Sequence, residues 1–274
     1  MKHFYILRNP EKDLSGEVTD GIVRYLADRG ASSKVITDGS ALKEKADCLI
    51  VLGGDGTVLR AARRIVHNLT PIIGINLGSL GYLSEVGKEA VYPALDQLLS
   101  DAYIIEERMM LEGTVIRNGE VIAQGCALND ITISRRGPLR VVQFESYVNG
   151  EPLSSFNADG IILATPTGST GYSLSAGGPV VSPSASLIIM TPVAAHTIHS
   201  RSIIFSDADR IRVMIGEGRF TKPDTAAAYF DGEDETMLRS GDAVEVRRAA
   251  YTTKIIKLSN ISFLEILRHK MQLT

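Results

Sequence analysis

The sequence predicts an α/β N-terminal domain with a parallel, Rossmann-like sheet, then a mainly β, β-sandwich-like domain, and last a C-terminal helix that packs back on the first domain. Two observations support this prediction. Short apolar runs alternate with helical periodicity over the first hundred or so residues, and short β-rich stretches dominate after about residue 108. We therefore expect domains at residues 1–108 and 109–257, with the returning helix at 258–274.

The sheet of the first domain is predicted from four short apolar runs. Amphipathic stripes over residues 18–26 and 58–66 lie between them and predict helices, which end before Gly30 and Pro71. Wholly apolar strands are typical of parallel sheets covered on both faces. The predicted strands are Phe4–Leu7, Val35–Thr37, Leu49–Leu52 and Ile72–Ile75.

Two Asn-Gly pairs predict hairpins in the second domain, at Asn118-Gly119 and Asn149-Gly150. Asn-Gly between apolar runs is a strong hairpin signal because both residues accept positive φ. The amphipathic tail Ile261–Leu267 predicts the returning helix. Further strands are predicted at Ile211–Ile215, Ala226–Phe230, Val244–Val246 and Thr253–Ile256.

Composition favours small-molecule partners. The chain has 29 Lys and Arg against 32 Asp and Glu, a net charge of −3, so it lacks the field that attracts nucleic acid or an anionic membrane. No apolar run reaches the roughly 18 residues of a bilayer span. The two cysteines lie in apolar stretches, as is typical of a reducing compartment. We expect a cytoplasmic protein with no nucleic-acid or membrane partner.

The turn Gly53-Gly54-Asp55-Gly56-Thr57 follows the apolar run Cys48–Leu52 and leads into a predicted helix. Glycines let backbone N–H groups approach phosphate oxygens, and a carboxylate there can orient a hydroxyl or a metal. An ordinary strand-to-helix turn explains this motif alone equally well. The chain contains no Walker loop, so any phosphate site works without a P-loop lysine.

Three further segments suggest ligand binding. Tyr82 follows a glycine-rich loop and could stack on a flat heterocycle, although a glycine-rich connection with a core tyrosine is the more ordinary explanation. Asn129-Asp130 places two polar residues within a β pattern, where a ligand or a simple turn would satisfy them. From Thr165 to Ser175 six Ser and Thr hydroxyls follow a buried strand that begins near Asp159. Such a segment suits ribose or phosphate, and also a plain surface loop.

Taken in order, these motifs resemble those of the NAD kinase family over nearly the whole chain. The GGDGT turn is shared with diacylglycerol kinases and 6-phosphofructokinases. The segment Thr165–Ser175, which reads TPTGSTGYSLS, is much more particular to NAD kinases. The resemblance also includes Asn129-Asp130 and the stretch Thr191–Thr197.

The resemblance implies a role for each matching residue. Asp55 is the catalytic acid/base that takes the proton of the 2′-hydroxyl on the adenosine ribose, with Gly56 and Arg60 beside it. Asn129 and Asp130 hold the dinucleotide. The other implied substrate-binding residues are Asp159 near the nicotinamide, Thr170, Gly171, Tyr172, Ser173, Leu174 and Ser175 along the adenosine, and Arg140, Asn157, Thr167 and Ala194. Tyr82, from the stacking argument, and Glu233 complete the predicted substrate-binding set.

Three residues depart from the common family pattern. Asp130 stands where many members have the longer Glu, and Gly171 where many have Ala. Glu233 replaces the usual Gln and adds a charge. A shorter acid at position 130 would reach the ligand through water, and a charge at position 233 would disfavour a phosphorylated product or face solvent.

The resemblance further implies NAD and ATP, or polyphosphate, as substrates, Mg²⁺ as divalent ion, and a homodimer or homotetramer. It assigns no metal ligand. Two rival functions remain open at this stage. A lipid or sphingoid kinase shares the GGDGT turn, but the polar segment 165–175 does not suit an apolar acceptor. A non-catalytic dinucleotide sensor would not need Asp55, which the chain retains.

Overall fold

The structure is a computed structural model that describes residues 1–38, 42, 44–78, 81–137, 141–197, 201–217, 226–259 and 261–272. By internal contacts the chain forms two compact units. The first unit is Met1–Arg108 with Thr252–Thr274, and the second is Met109–Tyr251. None of the described helices is long and apolar enough to cross a membrane.

The helices and strands follow one another along the chain in this order. They are β1 (His3–Arg8), α1 (Glu17–Asp28), β2 (Ser32–Ile36), β3 (Cys48–Leu52), α2 (Asp55–Arg64), β4 (Ile72–Asn76), β5 (Ser84–Gly87), a 3₁₀ turn (Lys88–Ala90), α3 (Val91–Leu99), β6 (Ile104–Arg117), β7 (Glu120–Ala127), β8 (Asp130–Arg135), β9 (Val142–Val148), β10 (Glu151–Ala158), β11 (Gly160–Ala164), a 3₁₀ turn (Thr167–Thr170), α4 (Tyr172–Ser175), β12 (Leu187–Val193), β13 (Ile203–Ser206), β14 (Ile211–Ile215), β15 (Ala226–Phe230), β16 (Glu233–Leu238), β17 (Ala243–Lys257) and α5 (Phe263–Gln272).

The first unit is built on a parallel sheet in the order β2-β1-β3-β4. β5 and the end of β17 also pair with β4 in parallel. Every residue of β3 and β4 is buried, because helices cover the sheet and pack such side chains as Ile22 and Leu26 against it. Since the strands are parallel, their carboxyl ends share one edge, and α2 begins just beyond the end of β3.

The second unit consists of antiparallel strands in two sheets. The strands β10, β9, β14 and the start of β17 pair in one sheet, and β13-β12-β11-β8-β15-β16 form the other. The core between the sheets takes Phe144 and Val213 from the first sheet and Ile161 and Phe230 from the second. A core filled by the inner faces of two sheets is the arrangement of a β-sandwich. The predicted fold class is confirmed.

Local turn chemistry explains the two hairpins. Asn118 and Gly119 have φ of 52° and 83°, and Asn149 and Gly150 have φ of 52° and 87°, which is the type I′ geometry that Asn-Gly favours.

One element differs from the sequence prediction, because β17 runs unbroken through both predicted strands, Val244–Val246 and Thr253–Ile256. Arg247 and Arg248 lie between them and are both exposed, and no Gly, Pro, Asn or Asp occurs there to interrupt the strand.

Candidate active site

The GGDGT turn joins β3 to α2, and its glycines serve different structural purposes. A Cβ at Gly53 would lie 2.8 Å from the Cβ of Thr57, so the chain passes too close to the helix for any side chain. Cβ atoms at Gly54 and Gly56 would meet nothing within 4 Å. The turn is therefore closed on the protein side and open where a ligand would approach the N–H groups of Asp55 and Gly56, since those of Thr57 and Val58 already donate to Gly54 O.

Asp55, the first residue of α2, is held by hydrogen bonds from one loop. Its Oδ1 accepts from Leu83 N at 3.1 Å, Ser84 N at 3.1 Å and Ser84 Oγ at 2.8 Å, and its Oδ2 accepts from Tyr82 N at 2.7 Å. A carboxylate oxygen has about two lone-pair sites. Oδ1 is thus fully used, whereas Oδ2 keeps one site for another donor.

Gly81 makes room for this carboxylate, since a Cβ there would overlap both oxygens of Asp55. We expect Gly81→Ala to displace Asp55 and lower kcat about 10²-fold, because displacements near 1 Å have that effect on a reacting group. Gly78→Ala is the matched control, since its Cβ would lie 3.7 Å from Asn76 Oδ1, an ordinary contact. Steady-state kinetics of both variants checks this, and equal losses would contradict it.

Two more predicted residues flank Asp55. Tyr82 is half-buried, with Lys270 Nζ 5.3 Å from its ring centroid. Burial, and then the charge of Asp55, raises the pKa of the Tyr82 hydroxyl. Arg60 is exposed on α2. The structure therefore gathers Asp55, Gly56 and Tyr82 at the carboxyl edge of the first sheet.

In the second unit, Asn129 and Asp130 lie at a strand end, where β7 stops at Ala127 and β8 begins. Asp231 organises this turn. Its carboxylate accepts from Leu128 N at 2.9 Å, Asn129 N at 2.8 Å and Asp130 N at 3.1 Å. Sequence reasoning did not assign Asp231 a role, although an Asp-Gly pair after an apolar run signals a residue with positive φ, here 50°.

The Ser/Thr-rich segment packs on the same turn. Thr165 donates its hydroxyl to Leu128 O at 2.6 Å and its N–H to Asn129 O at 2.8 Å. A Cβ at Gly168 would overlap the carbonyl oxygen of Asn129 and lie 2.7 Å from its Cα. These contacts fix the segment and the Asn129 turn to each other, so they form one rigid surface.

Part of the hydroxyl pattern is structural. Ser169 Oγ bonds with both Val181 O and Val181 N at 3.1 Å, and the fully buried Ser173 Oγ lies 3.2 Å from Thr191 Oγ1. These two hydroxyls hold the segment's own fold, and a substrate contact of Ser173 stays a prediction. Among the predicted positions, Thr167 is buried, Thr170 and Gly171 are half-buried, and Tyr172, Leu174 and Ser175 are exposed.

The side-chain amide of Asn129 is half-buried, and no hydrogen bond joins it to any part of the chain that the structure describes. A Cβ at Gly171 would lie 3.3 Å from Nδ2 of Asn129, so the amide lies against the backbone of Gly171. A half-buried amide costs free energy unless a partner satisfies it. Asn129 is therefore well placed to bind a polar ligand.

Asp130 is the buried acid of this turn, and Thr132 Oγ1 donates to it at 3.0 Å. Burial, and then the nearby Asp231 carboxylate, raises the pKa of Asp130 from 3.8 to about 6. Its carboxyl can therefore donate a hydrogen bond in mildly acidic solution and accept one above that range.

The raised pKa predicts a pH-dependent stability. The folded state holds the proton of Asp130 more tightly than the unfolded chain does, so the free energy of unfolding falls as pH rises from about 4 to about 6. Asp130→Asn abolishes this contribution, and its stability relative to the natural protein should increase over that window. Urea unfolding of both proteins at pH 4 to 7 measures it, and a constant difference would contradict the assignment.

Three of the remaining predicted residues, Asn157, Asp159 and Ala194, lie beside the start of β11. Asp159 forms an ion pair with Arg135, Nε to Oδ1 at 2.8 Å, and Asn157 is exposed, with its carbonyl accepting from His196 N at 2.8 Å. Ala194 has φ of 47°, an unusual value for alanine that often marks functional sites. Glu233 begins β16 and is half-buried. Arg140 lies outside the described residues.

A resident metal site has no support from the described side chains, since they contain no group of three or more His, Cys, Asp or Glu able to hold an ion. The carboxylate of Asp55 keeps one acceptor site, on Oδ2, and a single site does not make a protein cage for an ion. Mg²⁺ commonly keeps waters and binds substrate phosphates instead of a protein cage.

Comparison with known proteins identifies the family. The model of the ATP-NAD kinase N-terminal domain matches residues 32–103, and that of the ATP-NAD kinase C-terminal domain matches residues 128–258. A protein named NAD kinase from Agathobacter rectalis is 44% identical over 282 residues, covering 99% of each chain. One from Lachnospira eligens is 41% identical, covering 99% of this chain and 100% of the relative.

Solved structures agree in fold. Yeast NADH kinase complexed with NADH superposes with a TM-score of 0.88 at 24% identity, covering 100% of this chain and 88% of that chain. An NAD kinase from Archaeoglobus fulgidus in complex with ATP gives 0.77 at 23% identity, covering 94% of each chain. The resemblance predicted from the motifs is confirmed, and the chain belongs to the NAD kinase family.

Proposed function

We propose that this protein transfers the γ-phosphate of ATP to the 2′-hydroxyl of the adenosine ribose of NAD, which yields NADP and ADP. The observation that carries the proposal is the carboxylate of Asp55, fixed by four donors of one loop with a single acceptor site left on Oδ2. A base held in one orientation is what proton abstraction from a hydroxyl requires.

In the proposed step the 2′-hydroxyl donates its hydrogen bond to Oδ2 of Asp55. The O–H bond breaks as the oxygen attacks the γ-phosphorus, the proton passes to Asp55, and the bond between that phosphorus and the bridging oxygen of ADP breaks. Positioning and charge neutralisation supply most of the acceleration in such transfers. Asp55 both orients the acceptor oxygen and takes its proton.

The phosphates of ATP are proposed to bind at the open glycines of the turn. The N-terminus of α2 directs N–H groups and the positive end of the helix dipole outward there, and Gly54 and Gly56 leave space for close approach. Mg²⁺ is proposed to arrive with ATP as part of the substrate. It would screen the phosphate oxygens without a protein cage.

The second unit is proposed to hold NAD. The amide of Asn129 and the carboxyl of Asp130 are presented on the turn that Asp231 and Thr165 fix. We propose further contacts along the adenosine from the segment 170–175, and near the nicotinamide from Asp159. The exposed side chains of this segment, and its backbone, are the groups that can reach a ligand.

The proposal is tested with [γ-³²P]ATP and three acceptors presented separately. These are NAD, NADH, and vesicles that contain diacylglycerol or sphingosine. We expect label in the dinucleotide and none in the lipid. Labelled lipid would support the rival lipid kinase, and NAD binding without transfer from ATP or polyphosphate would support the sensor.

The protein's oligomeric state and cellular location are also proposed. We propose a homodimer or homotetramer, since soluble multimeric enzymes are usually symmetric, and sedimentation velocity tests it. We propose a cytoplasmic location, because Cys48 and Cys126 are buried and are not joined in a disulfide, as is usual in reducing compartments.

A further inference from the structure

A buried ion pair joins the end of β17 to β5. Lys257 Nζ lies 2.6 Å from Glu85 Oε2, and the two side chains are only 9% and 11% exposed. The other oxygen of Glu85 accepts a hydrogen bond from Ser259 N at 2.6 Å. Oε2 is paired with the lysine charge but makes no hydrogen bond within the described residues, whereas Oε1 is hydrogen-bonded. Both oxygens thus face residues 257–272, named here the C-terminal segment, and the charge pairing makes the buried carboxylate tolerable.

Glu85 directly follows the loop that holds Asp55. Its neighbour Ser84 gives Asp55 both an N–H and a hydroxyl hydrogen bond. Tyr82 makes a second connection of this kind. Its N–H donates to Asp55, and Lys270 of α5 lies over its ring in a cation–π contact. Residues 81–85, named here the donor loop, thus hold Asp55 through hydrogen bonds and hold the C-terminal segment through side chains.

The donor loop ends in β5, so part of it is already fixed on the sheet. Ser84 pairs with Gly74 of β4, and its hydroxyl accepts from Asn76 Nδ2 at 3.3 Å. The N–H groups of Tyr82 and Leu83 donate to the Asp55 carboxylate itself, which the loop must orient. The ion pair adds a contact from the loop to β17, a strand of 15 residues that pairs with β4 at Ile255.

We propose that Glu85 and Lys257 are positioning residues for catalysis, which hold the donor loop so that Asp55 keeps its orientation, with Lys270 as a weaker second tie through Tyr82. The predicted effect on rate rests on the proposed kinase function. The predicted order of the loop does not. Neither side chain is proposed to touch a substrate.

The loop is tested first without catalysis, by NMR-detected hydrogen exchange of the Tyr82, Leu83 and Ser84 amides in the full-length protein. Glu85→Gln keeps the acceptor for Ser259 N and removes the ion pair, and we expect about tenfold faster exchange at these amides. Asp47→Asn is the control. Asp47 accepts from Lys2 N and His3 N at the opposite edge of the sheet, so its loss should leave donor-loop exchange unchanged.

The rate is tested next. We expect kcat of Glu85→Gln to fall by up to about 10²-fold, with little change in the Kd of NAD or the KM of ATP, and Lys257→Arg to retain kcat. In Glu85→Gln/Lys257→Met the unpaired ammonium is gone, so Tm should recover while kcat stays low and exchange stays fast.

The outcomes separate the possible failures. Unchanged amide exchange in Glu85→Gln, or kcat restored together with Tm in the double variant, would overturn the positioning role and leave a pair that serves stability alone. An inactive natural protein would count against the proposed kinase, whereas the exchange result would still decide whether the ion pair orders the loop.

Discussion

Replacement of Asp55 by Asn is expected to lower kcat by about 10²- to 10⁴-fold, the usual contribution of a general base, with little effect on NAD affinity. The amide cannot take the proton of the 2′-hydroxyl. In either orientation of the amide, its NH₂ group would face an N–H donor. Tyr82 N lies beside one oxygen position of the side chain, and Leu83 N and Ser84 N lie beside the other. Steady-state kinetics and calorimetric titration with NAD measure the two effects.

Loss of donor-loop order must be distinguished from loss of the base. Asn at position 55 leaves at least one N–H unsatisfied, at a cost of about 1–3 kcal/mol of stability. Ser84→Ala is the control, because it removes one hydroxyl donor and keeps the carboxylate. We expect it to reduce kcat far less than Asp55→Asn. A drop in NAD affinity as large as the drop in kcat would contradict the assigned role.

Gly168→Ala is expected to have the largest effect in the second unit. The new Cβ would overlap the backbone of Asn129, whose carbonyl is fixed by Thr165 N at 2.8 Å. The backbone of Asn129 cannot rotate away from the new Cβ as a side chain could, so the turn must shift, at a cost of about 1–3 kcal/mol in stability. A shift near 1 Å is expected to lower kcat/KM for NAD about 10²-fold.

Gly171→Ala gives the graded comparison. The nearest neighbours of the new Cβ would be Asn129 Nδ2 and Gly168 O, both at 3.3 Å. The side-chain amide of Asn129 can move slightly to make room. We therefore expect a much smaller loss of kcat/KM than in Gly168→Ala. Kinetics with NAD as the varied substrate checks both, and equal losses would mean that close packing on Asn129 is not the cause.

The sequence anticipated features that depend on local chemistry. The all-apolar strands β3 and β4 indicated a parallel sheet, and the two Asn-Gly pairs indicated hairpins, because each signal lies within a few residues. The position of Asp55 at the end of β3 followed from the same pattern. The two family domain matches agree with the motifs that first suggested an NAD kinase.

Features that depend on distant residues were not predictable. Asp231 contacts a turn about one hundred residues earlier, and Glu85 pairs with a lysine more than 170 residues later. Neither pairing leaves a periodic trace in the sequence. Internal hydrogen bonds of Ser169 and Ser173 were also missed, since composition cannot distinguish a hydroxyl that holds its own segment from one that faces a ligand.

The most direct test is the formation of NADP from NAD, ATP and Mg²⁺ by the purified protein, followed with a dehydrogenase specific for NADP. That enzyme responds only to phosphate on the 2′ position, so it reports the acceptor atom as well as the transfer. We predict steady NADP formation that depends on ATP and nearly disappears in Asp55→Asn. Absence of NADP from a folded protein that binds NAD, or equal rates in the variant, would contradict the proposed reaction.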